Sequence, residues 1–206
     1  MAISGGFWSL ARTARLLRRR SLARKALPRL LVFTDPVRTP DPEAVARTLP
    51  RGAAIVFRAF GAADALVRGR RLRAIAAARG LMLLVGADAA LARAIRADGV
   101  HLPERLAHRA RRLKAANPGW IVTTAAHSGL AARRGLAAGA DAVVVSAVFA
   151  SDSPSAGRPM GQVRLASLVR AANGPVYAFG GVSNKNARLL RETGVVGMAG
   201  VDAFRT

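Results

Sequence analysis

Short runs of apolar and β-branched residues recur along the chain, separated by longer segments with helical patterning. Each run is nearly uniformly apolar, as expected of a parallel strand whose two faces are both covered. This pattern predicts eight strands, at residues 30–34, 53–58, 81–85, 99–102, 120–124, 142–148, 176–179 and 195–201.

Several of the intervening segments carry helix start and stop signals. Asp41 is a suitable N-cap, and Pro42 suits the first helical position. Gly80 suits the C-cap of the following helix. These signals and the spacing of apolar residues predict helices at residues 42–49, 64–79, 104–116, 128–138 and 184–193.

Alternation of strands and helices through one chain indicates a parallel sheet. Eight strands favour an α/β fold of the closed (β/α)₈ TIM-barrel type, which occupies about 200–250 residues. The chain has 206 residues, enough for one such domain. Periodicity does not reveal closure, so a doubly wound open sheet is the alternative. Thr206 follows the eighth run closely, which predicts a barrel whose last helix is missing or very short.

The first 34 residues contain no acidic side chain and many arginines. We predict a basic N-terminal helical extension over residues 1–29, followed by the barrel over residues 30–206. Leu10, Leu16, Leu17 and Leu22 give this extension an apolar side. The extension could therefore cover the seam between the last and first strands in place of the missing helix. The alternative is a homo-oligomer that buries the seam.

No segment of the chain has the pattern of a secretory signal or a membrane span. Arginines interrupt every candidate for a signal h-region, which needs about 7–15 apolar residues. No apolar run approaches the roughly 18 residues of a spanning helix. These observations predict a cytoplasmic protein without a membrane span.

Charge alters the expected ligands more than the expected fold. Lys and Arg total 33 against 11 Asp and Glu, for a net charge of +22, and all but three of the cations are arginines. The arginines are spread through the helical segments without interleaved aromatic residues, which argues against nucleic acid as the main partner. Affinity for phosphorylated small molecules is the better-supported prediction. The chain contains no cysteine, so thiolate metal sites and disulfides are excluded.

Glycines mark the ends of the last two predicted strands. Gly180 and Gly181 follow the seventh, and Gly200 and Val201 end the eighth. In a barrel, active sites lie at the C-terminal ends of the strands, and a phosphate site commonly follows strands seven and eight. Backbone N–H groups at glycine turns can approach phosphate closely. The same glycines could merely allow tight turns.

Three histidines are the remaining candidates for chemistry. His127 follows the fifth predicted strand at the barrel rim, where it could transfer protons or simply be a solvated loop residue. His101 lies inside the fourth strand and is predicted to be structural, and His108 lies on an arginine-rich helix. No cluster with metal-ligand spacing, catalytic triad or phosphate-binding P-loop is present, so no metal site is predicted.

Several segments in order resemble the thiamine-phosphate synthase/TenI family, and the resemblance extends over about residues 30–203. They are Leu-Val-Phe-Thr-Asp at 31–35, the strand with Arg58, Ala-Asp-Gly-Val-His-Leu at 97–102, Ala-His-Ser at 126–128, Gly-Ala-Asp-Ala-Val-Val-Val-Ser at 139–146, and residues 175–182 and 195–201. The family fold is a (β/α)₈ barrel, which agrees with the strand count.

The resemblance implies one of two activities. The synthase joins a pyrimidine pyrophosphate to a thiazole phosphate with magnesium, whereas TenI-type members aromatise thiazole phosphate by moving a proton. The family histidine that moves this proton corresponds to His127. The resemblance also implies a phosphate site at the turns with Gly180, Gly181, Gly200 and Val201, with Arg58 available for negative charge.

This chain departs from the synthase pattern at its polar positions. Val56 and Phe60 lie at or near polar positions of the second strand, and Gly86 and Ala87 replace an Asn-Asp pair. Residues 103–106 replace a stretch with a magnesium-binding Asp, and residues 150–154 replace a Thr-Lys loop. Magnesium usually needs one or two carboxylates besides phosphate oxygens.

We therefore expect a TenI-like protein that binds or tautomerises thiazole phosphate without a cofactor. Magnesium would be needed only if the chain is a divergent thiamine-phosphate synthase, which is the first alternative. The second alternative is a non-catalytic barrel that binds nucleic acid or a protein partner.

Overall fold

A computed structural model describes residues 10, 12–14, 16–17, 26–151 and 157–201. Eight parallel strands form one closed barrel in sequence order, so the predicted TIM barrel is confirmed and the open-sheet alternative is wrong. The strands are β1 (Leu30–Phe33), β2 (Ala54–Phe57), β3 (Met82–Gly86), β4 (Gly99–Leu102), β5 (Ile121–Ala126), β6 (Ala142–Val145), β7 (Val176–Ala178) and β8 (Gly197–Gly200).

Helices follow most of the strands and form the outer layer. They are α1 (Pro42–Thr48), α2 (Ala65–Arg79), α3 (Ala89–Ala94), α4 (Ala110–Ala116), α5 (Gly129–Ala137) and α6 (Gly161–Ala172), with 3₁₀ helices at Glu104–Arg109 and Ala187–Leu190. The predicted caps are confirmed where Asp41 accepts a 2.9 Å hydrogen bond from Ala44 N and where Gly80 adopts the left-handed conformation.

Two helices were absent from the sequence prediction. The six-residue α3 is short, and Asp88 caps it by accepting a 2.8 Å hydrogen bond from Leu91 N. Helix α6 had a signal that the prediction missed, because Leu165, Val169 and Ala172 recur at helical spacing and are buried. The predicted helix at 184–193 was too long, since only Ala187–Leu190 is helical.

The strands divide the apolar residues into two layers. Alternate side chains point into the barrel, where they form a small core with Leu31, Phe33, Val56, Leu84, Val144, Tyr177 and Ala199 among its members. The intervening side chains point outward and join the helices in a larger core that contains Val32, Ile55, Val85, Val143 and Leu165. Both faces of each strand are therefore buried, which explains the continuous apolar runs in the sequence.

Two aspartates before strands join the N-terminal end of the barrel to the helices. Asp98 accepts hydrogen bonds of 2.8 Å from both Leu83 N and Arg73 Nη1. Asp141 accepts a 2.8 Å hydrogen bond from Val122 N and pairs with Lys114. Each carboxylate thus links the strand before it to a basic side chain on a helix. Both links lie at the end of the barrel opposite the predicted site.

The described residues of the N-terminal segment pack against the outer core. Leu10, Ala14 and Leu17 are nearly inaccessible to solvent and belong to the larger core. The guanidinium of Arg29 donates hydrogen bonds to the carbonyls of Ala14 and Leu17, while its own carbonyl accepts one from Met198 N in β8. These contacts join the described residues of the segment to the end of β8 and the start of β1.

Some predictions lie outside the described residues. They include most of the basic extension over residues 1–29, the absent or short last helix at residues 202–206, and residues 152–154 of the loop after β6. Within the described part of the chain, no helix combines the length and apolar character needed to cross a membrane.

Adjacent leucines in the N-terminal segment provide a test of its structural role. Leu17 is 3% exposed and Leu16 is 54% exposed. We expect Leu17→Ala to lower the free energy of unfolding by about 2–4 kcal/mol, because it leaves a cavity in the outer core. The control Leu16→Ala should change it by about 0.5 kcal/mol or less. Equal urea midpoints for both variants would show that the segment is an appendage.

Candidate active site

A cavity of about 1310 Å³ opens at the C-terminal end of the barrel. Its inner part is bounded by side chains at the ends of β1, β4 and β6, and its outer part extends between α3 and the helices after β4. The residues of the inner part include Phe33, Arg58, His101, Ala125, His127, Val144, Ser146 and Phe179. Ligand sites of barrels lie at this end, so the cavity is the candidate active site.

Aromatic rings form the floor of the cavity. Phe33 and Phe179 stack with their ring centroids 4.9 Å apart and an interplanar angle of 20°. His101 meets Phe33 edge-on, with the centroids 4.8 Å apart. The Arg58 guanidinium lies over the Phe33 ring, with its Cζ 5.8 Å from the centroid, and Phe33 is buried. The floor is therefore apolar, and Phe179 is the more exposed of its two phenylalanine rings.

His101 is held neutral at the side of this floor. It is 9% exposed, and its Nδ1 lies 3.0 Å from Thr123 Oγ1. Burial, together with the smaller effect of the nearby positive charge of Arg58, lowers the pKa of His101 to about 3. His101 therefore offers a neutral ring nitrogen to the cavity rather than a positive charge.

Arg58 lines the cavity, but protein groups already hold its guanidinium. Its Nε donates a 2.6 Å hydrogen bond to the Thr34 carbonyl, and its Nη2 lies 3.1 Å from Asp35 Oδ2. Burial is the largest single influence on the pKa of Asp35 and raises it. The hydrogen bonds from Arg38 and Val37 together outweigh burial, so the pKa lies below its ordinary value. Arg58 thus lies at the predicted place, with its charge partly offset by Asp35.

His127 follows β5 at the rim, and a carboxylate orients it. Its Nδ1 is 2.8 Å from Glu104 Oε2, and its backbone N–H donates a 2.9 Å hydrogen bond to the same oxygen. Glu104 begins the 3₁₀ helix after β4, so adjacent loops bring the pair together. The His127 side chain is 65% exposed, which leaves its ring accessible to a ligand.

The glycine turn after β7 holds its carbonyl groups toward the protein. The Gly180 carbonyl accepts a 3.0 Å hydrogen bond from Phe149 N, and the Gly181 carbonyl accepts a 2.7 Å one from Asn186 Nδ2. Both glycines have positive φ angles, +87° and +66°. Within the described part of the chain, the N–H groups of Gly180, Gly181 and Val201 donate to no protein acceptor. The cavity lining reaches Phe179 and does not include Gly180, Gly181, Gly200 or Val201, so the structure places the predicted phosphate turns beside the cavity and not in its wall.

The carboxylates near the cavity do not fit a magnesium site. Asp35 is engaged by Arg58, Asp88 caps α3 through Leu91 N, and Glu104 holds His127. Among the described residues, no group of three or more His, Asp or Glu side chains could hold a metal ion. Magnesium prefers oxygen ligands that include one or two carboxylates, and in this cavity only Asp88 is an exposed carboxylate without a cationic partner among the described residues.

Comparison with known proteins identifies the family of the chain. The family model described as thiamine monophosphate synthase (TMP-TENI) matches residues 30–204. The chain belongs to this family. Membership places it among the proteins of thiamine biosynthesis, which confirms the resemblance inferred from the sequence.

Individual members of the family resemble the chain over most of its length. The thiamine-phosphate synthase of Azoarcus sp. (strain BH72) is 35% identical over 73% of this chain and 75% of that protein. The thiamine-phosphate synthase of Pyrococcus furiosus is 31% identical over 85% and 86%. A solved thiamine phosphate pyrophosphorylase from Pyrococcus furiosus has a TM-score of 0.74 and 29% identity, and the match covers 85% of this chain and 86% of that one.

Two residues that position the site of this family member, Glu104 and Asn186, were not predicted from the sequence. Glu104 was noted only as a departure from the synthase pattern, and Asn186 was not noted at all. No short sequence pattern indicates either contact. Glu104 contacts His127, which is 23 residues away in the chain, and Asn186 donates a hydrogen bond to the Gly181 carbonyl. His101 was interpreted as structural, and it also lines the cavity.

The depressed pKa of His101 predicts a pH-dependent loss of stability. Between its ordinary pKa of about 6.5 and its folded pKa of about 3, the unfolded chain binds a proton that the folded chain excludes. As the pH falls through this window, His101 should lower the free energy of unfolding by up to about 1.4 kcal/mol per pH unit.

Urea unfolding at about pH 7 and about pH 4.5 measures this effect. In the His101→Gln variant, stability should fall less steeply with pH than in the unmodified protein, because Gln does not titrate. Parallel stability curves for the two proteins would contradict the burial-induced pKa shift.

Proposed function

We propose that this protein binds thiazole phosphate and catalyses its tautomerisation, with His127 as general acid and base. The observation that carries the proposal is the contact between His127 and Glu104 at the cavity rim, 2.8 Å long. A histidine oriented by a carboxylate is suited to repeated proton transfer. The aromatic floor and the glycine turns would then hold the two ends of the substrate.

The Glu104 contact determines which nitrogen of His127 can react. An ionised carboxylate only accepts hydrogen bonds, so Nδ1 of neutral His127 carries the hydrogen that Glu104 receives. Nε2 is then left with a free lone pair for a substrate proton. It would take a proton from one ring position of the thiazole precursor and return it at another, which aromatises the ring without a net gain or loss of atoms.

The proposed phosphate site uses backbone rather than side-chain donors. Gly180, Gly181 and Val201 supply N–H groups at the ends of β7 and β8, and Gly200 allows the backbone of β8 to approach. The carbonyls of Gly180 and Gly181 accept hydrogen bonds from the protein, so their negative oxygen atoms point away from the proposed ligand. With the phosphate there, the thiazole ring would extend over Phe33 and Phe179 toward Arg58 and His127.

A thiamine-phosphate synthase is the second candidate, and the names of the relatives favour it. Against it stands the engagement of Asp35 by Arg58 and of Glu104 by His127, which leaves magnesium a single exposed carboxylate, that of Asp88, whose Oδ1 caps α3. A third candidate is a non-catalytic barrel that binds nucleic acid or a protein through its arginines. Steeply salt-dependent binding of DNA or RNA would favour that function.

Substitution of His127 separates chemistry from binding. We expect His127→Ala to lower the turnover rate of the thiazole tautomer by about 10²–10⁴-fold, because a general acid and base is lost. The affinity for thiazole phosphate should stay nearly unchanged, as measured by calorimetry. Glu104→Gln should lower kcat less and leave KM unchanged, since it disturbs only the orientation and proton position of His127.

Unchanged turnover in His127→Ala would remove its proposed role. Binding of thiazole phosphate without turnover by the unmodified protein would identify a binding protein instead. Failure to bind any phosphorylated thiazole would contradict the whole proposal and leave only the family and fold.

The glycine turn can be tested with a matched pair of glycines. A Cβ at Gly181 would collide with the carbonyl oxygens of Phe149 and Ala150, whereas one at Gly52 would meet nothing within 4 Å, and both residues have positive φ. Gly181→Ala should therefore displace the turn and weaken thiazole phosphate binding by about 10-fold or more, because backbone donors act at short range.

Gly52→Ala is the control, since it introduces similar backbone strain of about 1 kcal/mol outside the site. We expect it to lower stability slightly and leave binding unchanged. Equal affinities for the two variants in calorimetric titrations would place the phosphate elsewhere.

A further inference from the structure

A phenylalanine at the mouth of the cavity is not used by the proposed reaction. Phe60 follows β2 at the C-terminal rim of the barrel, and its side chain lines the cavity while 67% of it is exposed. Single exposed apolar residues are common on protein surfaces. Phe60 differs from most of them, because it combines a strained backbone conformation with a contact to Arg58.

The turn after β2 has a backbone conformation that is unfavourable for phenylalanine. Phe60 has a φ angle of +49° and Gly61 one of +79°, and Ala62 N donates a 3.0 Å hydrogen bond to the Ala59 carbonyl. Positive φ angles at both central residues are typical of a type I′ turn, which favours Asn, Asp or Gly at these positions. A bulky residue is strained there, and such strain clusters at ligand and active sites.

The Phe60 ring covers part of the guanidinium of Arg58. The Arg58 Cζ lies 5.2 Å from the ring centroid of Phe60 and 5.8 Å from that of Phe33, both within the range of cation–π contacts. The nitrogen atoms of the same guanidinium donate hydrogen bonds to the Thr34 carbonyl and to Asp35. Aromatic rings and protein acceptors thus enclose much of the charge of Arg58, whose side chain is 24% exposed.

Asp35 makes the approach of a ligand anion to Arg58 unfavourable. Its Oδ2 lies 3.1 Å from Arg58 Nη2. Burial raises the pKa of Asp35, but hydrogen bonds from Arg38 and Val37 outweigh burial and keep the pKa below its ordinary value. The carboxylate is therefore ionised at neutral pH. A ligand anion beside Arg58 would meet this like charge, whereas a neutral planar ring would not.

We propose that Phe60 determines ligand specificity at the cavity mouth, by keeping anionic groups away from Arg58 and by stacking on a neutral heteroaromatic ring. The ring of Phe60 occupies space beside the guanidinium, and protein acceptors engage the guanidinium nitrogens. The exposed surface of the ring can pack against a planar group in an offset or edge-on arrangement. Arg58 then supports Phe60, in place of the anion-binding role that the sequence predicted for it.

Two titrations of the full chain test the two halves of the proposal. In calorimetry, Phe60→Ala should weaken thiazole phosphate binding by about 2–10-fold, because one aromatic contact is lost. In a sulfate titration, the NMR signal of Arg58 Nε–H reports anion binding at this guanidinium, and Arg58→Lys identifies the signal by removing it. The sulfate affinity at Arg58 should rise by about threefold or more in Phe60→Ala, because the uncovered guanidinium can donate charge-assisted hydrogen bonds.

Phe60→Trp and Val37→Ala are the controls. Trp keeps an aromatic ring that can cover Arg58, so both affinities should stay within about twofold of those of the unmodified protein. Val37 is 84% exposed on the loop after β1 and lies outside the cavity lining, so its truncation should change neither affinity. Urea midpoints report the fold of each variant. A large fall of the midpoint in Phe60→Ala would identify a structural role for the ring and overturn the proposal.

The stacking half of the proposal rests on the proposed function, and the shielding of Arg58 does not. Absence of thiazole phosphate binding by the unmodified protein would contradict the proposed function, and the sulfate titration would still decide whether Phe60 shields Arg58. Equal sulfate affinities at Arg58 in the unmodified protein and in Phe60→Ala would overturn the shielding. A thiazole phosphate affinity that is equal in these two proteins, or that falls equally in Phe60→Trp, would overturn the stacking.

Discussion

Closure of the sheet between β1 and β8 is the constraint on which the site depends. Their backbones pair because Gly197 has no side chain, since a Cβ there would lie 2.6 Å from the Arg29 carbonyl oxygen and would collide with the Tyr177 ring. Tyr177 fills the barrel interior, and its hydroxyl donates to the Pro28 carbonyl just before β1. A closed ring of parallel strands brings all eight C-terminal ends to one rim, so distant segments meet around one cavity.

Several of the few acidic residues form structural hydrogen bonds and ion pairs, and their positions determine where positive charge in the cavity is left without a nearby carboxylate. Asp98 and Asp141 join strands to helices at the N-terminal end of the barrel. At the opposite end, Asp35 and Asp88 engage Arg58 and the start of α3. The cavity consequently has a neutral, buried His101 beside its floor and several exposed arginines in its outer part, a distribution that favours anionic ligands.

The fold could be predicted from the sequence because its main signal is local. Apolar strands such as residues 53–58 and caps such as Asp41 and Gly80 are visible in short windows, and their alternation limits the topology. The site was predictable only in part. Glycines after β7 and a histidine after β5 can be placed at the C-terminal rim of the barrel from the strand pattern alone. The contact of Glu104 with His127 depends on how the loops after β4 and β5 fold over the barrel.

Solvent deuterium exchange tests the central claim, proton transfer to thiazole phosphate, most directly. The protein would be incubated in D₂O with the non-aromatic thiazole phosphate tautomer, with EDTA present and no pyrimidine pyrophosphate, and the product followed by NMR. The account predicts conversion to the aromatic thiazole phosphate, with deuterium incorporated in the fraction of turnovers in which the proton on the exposed His127 ring exchanges with solvent before its return. A tautomer that is unchanged under these conditions, and is consumed only when magnesium and pyrimidine pyrophosphate are added to yield thiamine phosphate, would contradict it.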